Sequence, residues 1–362
     1  MTKNNGVKEP LFHIVKKNDV PLWQAWLIRI GTIVFAIFVG GIIASAFSSR
    51  NPFEVIASLF AGAFGTKRTI WLLLQDTSML LIIALAITPA FKMKFWNLGA
   101  NGQVLISCLA TIACMFFLGG KLPDVVVILV MIVAGLLAGV IWAVIPAIFK
   151  AFFGTNESLF TLMLNYIAEG LVAFFINVWV KDGSAVLRPI EHANLPELGN
   201  KYVLIILVAA LLTAFSYVYF RFSKHGYEVS VVGESRNTAR YIGVDVKKVI
   251  IRTLVLSGLM CGVAGILLGG AINHTITPTA HNNLGFTAIM AAWLGKFNPL
   301  YVLVSSAFIC FVTRGMVRVN MDCGFTSTAM SNIVIGIVYF FVIACEFFIN
   351  YKLVFRSKKE VK

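Results

Sequence analysis

Ten runs of almost pure hydrocarbon, most of them near the thickness of a bilayer core, constrain this chain more than any other feature. They lie near residues 25–47, 69–91, 103–118, 124–149, 159–180, 202–220, 250–271, 285–296, 300–313 and 330–351. About 20 apolar residues carry a helix across a hydrocarbon core. The backbone must satisfy itself there, so such runs are expected as helices. The fold class read from them is all-α, a polytopic membrane protein with about ten transmembrane helices. The runs 285–296 and 300–313 are short, so they read either as a broken or re-entrant pair or as two crossings. Composition agrees. Only 13% of residues are charged, against about a quarter in soluble domains. Mean hydropathy is +0.87, which leaves a water-soluble surface impossible to build.

Lys and Arg set the orientation. Lys3, Lys8, Lys16 and Lys17 precede the first run, and Lys352, Arg356, Lys358, Lys359 and Lys362 follow the last. A third group, Arg221, Lys224, Arg236, Arg240, Lys247, Lys248 and Arg252, fills and closes the polar loop 221–249. Cations gather on the cytoplasmic side, so both termini and this loop are expected there, with 48–68 and 181–201 on the opposite face. An even number of crossings satisfies all three. The layout is then a cytoplasmic tail 1–24, a membrane domain 25–351 and a cytoplasmic tail 352–362. The net charge of +14 follows from orientation and anionic lipid, and nucleic acid is not an expected partner. The first 24 residues lack the pattern of a cleaved signal peptide.

Within the loop, Glu234-Ser-Arg-Asn-Thr-Ala-Arg-Tyr-Ile-Gly243 reads as a short helix. Ser235 or Asn237 suits its cap, and Gly243 suits the left-handed residue that ends it. A short polar helix held below a membrane bundle is well placed to dock onto another protein.

Lipid penalises unpaired polar groups, so polar residues inside the apolar runs are the first candidates for function. Phe95-Trp-Asn-Leu-Gly-Ala-Asn-Gly-Gln103 interrupts two runs with Asn97, Asn101 and Gln103. It reads as a broken helix, either lining a substrate path or serving packing alone. Asn156 and Glu157 open the next candidate helix, where Thr155 or Asn156 suits the cap. Asn165 and Glu169 follow one turn apart, facing either a polar path or a neighbouring helix. Asp76 belongs to a third polar patch, 75–78. His274 reads as a plain loop residue. Glycines at 258, 262, 265 and 269, and at 135 and 139, read as helix-packing stripes. The six cysteines lack metal or redox spacing and read as apolar packing residues. No GxxxxGK(S/T), HExxH or nucleophile elbow appears. No cofactor, metal or catalytic residue is therefore expected, and an intramembrane enzyme lacks any catalytic constellation.

Four segments carry a resemblance. Residues 95–103 are similar to the FNIGAEGQ signature of ABC importer permeases serving branched-chain amino acids, simple sugars and nucleosides. Residues 154–167 resemble that group's N-E-x-x-x-T-x-M-L-N-Y-I pattern, and 226–243 its segment holding the coupling helix. Residues 285–295, with Asn298-Pro-Leu300, also fit. Asn101 stands where the signature usually has Glu, Trp96 adjoins its asparagine, and Ser230 replaces a usual basic residue. At 75–78, Gln-Asp-Thr-Ser stands where Lys-Ala-Thr-Pro is frequent. The resemblance is closest to the nucleoside permeases of bacterial cytoplasmic membranes.

It implies two related halves, 69–180 and 250–351, with 97–103 answering to 283–287. It implies a pore that alternates access, driven by a cytoplasmic ATPase which grips Glu234, Arg236, Asn237, Arg240, Tyr241, Ile242 and Gly243. Further implied partners are a second, different permease and an extracytoplasmic substrate-binding lipoprotein. Import of simple sugars by the same machinery is the second expectation. A stand-alone ion-coupled carrier is a third, although only Asp76, Glu157 and Glu169 would serve a proton path.

Overall fold

A computed structural model describes residues 12–16, 21–48, 50–181, 184, 186–325 and 329–355. The expectations resting on 1–11 and 356–362 lie outside the described residues. The chain forms two compact units, 67–311 and a second assembled from 1–66 with 312–362.

All ten hydrocarbon runs form helices. In the second unit these are α1 (Leu22–Ala46) and α13 (Ala329–Asn350), which pack against each other. After α1 in the chain comes α2 (Pro52–Phe64), in a segment expected to be loop. Pro52 at its first turn and Glu54 beside its positive end are start signals, but 13 residues are too few to span. The unit also holds one antiparallel ribbon, β1 (Phe12–Lys16) with β2 (Tyr351–Phe355), pairing Phe12 with Phe355 and Lys16 with Tyr351. The two ends of the membrane domain thus emerge together.

The larger unit contains α3 (Lys67–Lys92), α4 (Ala100–Leu118), α5 (Asp124–Phe153), α6 (Glu157–Trp179) and α7 (Val203–Phe222). It continues with α8 (Lys224–Glu234), α9 (Arg236–Tyr241), α10 (Val246–Leu267) and α11 (Leu284–Leu294). The boundary between units falls inside α12 (Pro299–Asp322). At 24 residues α12 is longer than the run at 300–313 suggested. Its polar last turns stay helical, with Arg318 bonded to Asp322 at 3.0 Å, one turn on. Among the described residues eight helices are long and apolar enough to cross a membrane, while α11 is an 11-residue half-length helix.

The glycine stripes set the close crossing of α5 and α10. A Cβ at Gly139 would lie 2.6 Å from the Gly258 carbonyl, and one at Gly258 would lie 2.7 Å from the Gly139 carbonyl. Only hydrogen fits where the two backbones touch. Farther along, α10 widens into a π-turn at Leu268–Asn273. The Gly270 and His274 carbonyls there accept the Leu195 and Ile190 N–H groups, which fasten the 186–201 segment.

Candidate functional site

Of two helices in the larger unit that start close together, α4 begins wholly inside the protein, while α11 begins between the exposed Asn283 and the buried Gly285. After α3, residues 93–99 run without helix, and α4 starts at Ala100. After the π-turn, 274–283 contain no helix, and α11 starts at Leu284. A helix start exposes N–H donors and partial positive charge, so a buried start needs acceptors. Three asparagines supply them. Asn97 Oδ1 accepts the Gly99 N–H at 3.1 Å, and Asn165 Oδ1, from α6, accepts the Gly102 N–H at 2.8 Å. Asn101 Oδ1 then accepts the Gly285 N–H at 2.7 Å, so the two starts meet. A Cβ on Gly285 would fall 2.5 Å from that oxygen, which accounts for the glycine.

The remaining donors and acceptors close a buried network. Asn165 Nδ2 donates to the Leu98 carbonyl at 2.9 Å, and Thr161 Oγ1 accepts the Leu98 N–H at 3.1 Å. Asn97 Nδ2 donates to Ser257 Oγ on α10 at 3.3 Å, and Gln103 Nε2 reaches Asn97 Oδ1 at 3.4 Å. Asn97, Asn101, Gln103 and Asn165 are all buried. Gln103 Oε1 has no partner among the described residues.

One turn beyond Asn165, Glu169 meets His281, with Oε1 3.2 Å from Nε2. His281 Nδ1 accepts the Asn283 N–H at 3.0 Å, so the proton of a neutral ring sits on Nε2 and points at the carboxylate. His281 is buried, while the Glu169 side chain is about one-third exposed. The pair therefore joins α6 to the start of α11 and leaves a carboxylate edge open.

The structure separates the other expected residues from this cluster. Asn156 caps α6 by accepting the Ser158 and Leu159 N–H groups at 3.1 and 3.2 Å. Glu157 pairs with Lys150 at the end of α5. Both therefore tie a corner between helices. Asp76 sits half-buried within α3, apart from this cluster. His281 and Ser257 escaped the sequence reading, and Thr161 entered it only inside a motif, since single polar residues acquire meaning only from distant partners. An aromatic group was missed as well. Trp96 meets Trp293 with centroids 5.6 Å apart, and Phe91 stacks on Phe297 at 6.0 Å.

The loop 221–249 holds two helices rather than one, and Glu234 ends α8 instead of opening α9. Ser223 caps α8, accepting the Gly226 N–H at 2.9 Å, and Ser235 caps α9, accepting the Thr238 N–H at 3.2 Å. Gly243, at φ 83°, ends the turn in the left-handed region. Val229, Val232 and Ala239 are buried in one apolar core with Met93, Phe95, Val249 and Leu254. Arg252 clamps α8 to α10 through Glu228 at 2.7 Å, and holds that carboxyl below the usual glutamate range. By contrast Tyr241 is 92% exposed, and Ile242 is exposed beside it. Phe95, in this core, lies two residues from Asn97, so the core under α9 adjoins the buried network.

Residues 69–343 match the family described as branched-chain amino acid transport system / permease component. The nucleoside ABC transporter permease protein NupB of Lactococcus lactis is 26% identical over 90% of this chain and 93% of its own. The glucose ABC transporter permease protein TsgB13 of Haloferax volcanii is 26% identical over 93% of this chain and 92% of its own. The guanosine ABC transporter permease protein NupP of Bacillus subtilis is 25% identical over 87% and 92%. With a match across most of its length and eight helices fit to cross a bilayer, this multi-pass chain belongs to the permease component family of ABC transport systems.

Proposed function

We propose that the chain is a pore subunit of an ATP-driven nucleoside importer, worked from the cytoplasm through α9. The observation that carries this reading is the pairing of an exposed apolar tip with a buried root. Tyr241 and Ile242 project freely, while Ala239 on the same element packs in the core containing Phe95. The tip is thereby linked, through the packing of Ala239, to the core residue Phe95 beside the interrupted start of α4. The partner gripping the tip is a cytoplasmic ATPase, contacting Asn237, Tyr241, Ile242 and Gly243, with Glu234 at the root and Arg236 and Arg240 on the adjoining edge of the helix. A second, different permease completes the pore, and an extracytoplasmic binding lipoprotein delivers substrate. Both termini and α9 are cytoplasmic in a bacterial inner membrane, following the Lys and Arg distribution.

Closure at the ATPase tilts α3 and α10 and changes which side the passage faces. Along the passage, the open edge of Glu169 contacts substrate hydroxyls or base N–H groups. Asn97, Asn101, Gln103 and Asn165 hold the two helix starts in register behind it.

Nucleosides are favoured because nucleoside and guanosine permeases stand among relatives covered almost end to end. Simple-sugar import is the second reading, favoured by the glucose permease at equal identity. Uptake of labelled uridine and ribose in a strain lacking the gene, with and without its return, separates them. Restored uridine uptake is expected. Restoration of ribose alone selects the second reading, and restoration of neither removes both.

A further inference from the structure

A cavity of about 400 Å³ opens where the end of α5, α9 and the start of α10 converge. Lys150, Arg236, Arg240 and Lys247 line it, against Asp245 as the one acid. Asp245 is engaged, accepting the Lys247 and Lys248 N–H groups at 3.0 and 3.3 Å and facing the Lys248 ammonium at 3.6 Å. Lys150 is matched by Glu157. Arg236 and Arg240 have no ion-pair partner among the described residues, and the Lys247 ammonium has only the Phe152 ring, at 4.8 Å. Three cations thus converge on one concavity without a counter-ion.

The depth and the rim decide what fills it. At 30 residues, α5 extends about 45 Å, longer than a hydrocarbon core of about 30 Å, so its end stands at headgroup level. Phe149, Phe152 and Phe153 at that end are exposed, as side chains facing acyl chains are. On α9, Arg236 and Arg240 lie one turn apart and line the cavity, whereas Tyr241 and Ile242 are exposed outside it. The cations therefore sit on a different edge of the helix from its free apolar tip. We propose that this cavity binds the phosphate of an anionic phospholipid headgroup, which Arg236, Arg240 and Lys247 hold while the acyl chains lie along the phenylalanines. The lipid would fasten α9 to the membrane surface beside the edge left free for a protein partner.

The test uses the full chain purified in detergent, probed with phosphatidylglycerol, phosphatidylcholine and inorganic phosphate. Retention is read by native mass spectrometry and stabilisation by thermal unfolding. The chain should retain and be stabilised by phosphatidylglycerol over phosphatidylcholine. The double variant Arg236→Gln/Arg240→Gln should bind phosphatidylglycerol on the order of thirtyfold more weakly. Lys247→Gln alone, which removes no contact within α9, should weaken it about fivefold. Equal phosphatidylglycerol binding by wild type and all variants overturns the proposal. Stabilisation by inorganic phosphate with none from phosphatidylglycerol overturns the lipid as the source. Unchanged lipid binding with loss of ATPase assembly in the double variant gives the arginines to a protein contact and also overturns it. Because no ATPase or substrate enters the lipid measurement, its failure leaves the importer reading untouched.

Discussion

Asn101 Oδ1 accepts the Gly285 N–H at 2.7 Å, bridging two helix starts 184 residues apart in the chain. Without it, a buried N–H at a helix start loses its acceptor, a cost of about 1–3 kcal/mol. Asn101→Leu, close in volume, should lower thermal stability by that amount and reduce uptake. Gly285→Ala should also destabilise, since its methyl meets both the Asn101 oxygen and the Asn101 backbone N at 2.8 Å. Unfolding of each purified variant by fluorescence checks this. Wild-type melting for both would mean the two starts are not coupled.

The crossing of α5 and α10 gives a second prediction. Gly139→Ala drives a methyl into the Gly258 carbonyl and should cost roughly 1–3 kcal/mol, because backbone cannot step aside as a side chain can. Gly170→Ala is the matched control, since a Cβ there meets nothing within 4 Å. It should be neutral or stabilising by up to about 1 kcal/mol, from helix propensity. Melting temperature should fall for Gly139→Ala and hold or rise for Gly170→Ala.

Glu228 supplies a pH dependence. Its carboxyl is held low chiefly by the Arg252 hydrogen bond, so its folded value lies below its unfolded value. Stability from this pair is full above about pH 4.3 and lost as pH falls through the lowered folded value. Wild type should therefore exceed Glu228→Gln in melting temperature at neutral pH, and the gap should close on acidification below about pH 4. A gap constant with pH would separate the effect from the charge.

Much of this was legible in local sequence, and the remainder depends on distant partners. The ten apolar runs, the cap and the Gly243 stop are dictated by neighbours within a turn: every run formed helix, Ser235 rather than Asn237 took the cap, and Gly243 ended the turn. The extent of α12 was underestimated because Arg314 and Arg318 look like a helix end, whereas Arg318 simply bonds the next turn. Glu169 was visible as a costly intramembrane acid, but its partner His281 lies 112 residues away. Likewise β1 pairs with β2 from opposite ends of the chain, a contact no local propensity announces.

Sidedness has its own test. Thr238 is exposed on α9, and Cys108, Cys261, Cys310 and Cys345 are buried. With the half-exposed Cys114 and Cys323 changed to alanine, Thr238→Cys should resist an impermeant maleimide in intact cells. It should label once the membrane is opened. Labelling of intact cells would invert the orientation.

The central claim is that a cytoplasmic motor works this pore by gripping the tip of α9. Its most direct test is labelled-nucleoside uptake by cells carrying Tyr241→Ala/Ile242→Ala, with the amount of permease in the membrane measured in parallel. Both side chains are exposed, so the fold should persist and the protein should reach the membrane at normal levels. Uptake should fall at least tenfold, roughly the loss expected when two apolar anchors are removed from an interface. Uptake at the wild-type rate, with normal membrane levels, would contradict the account.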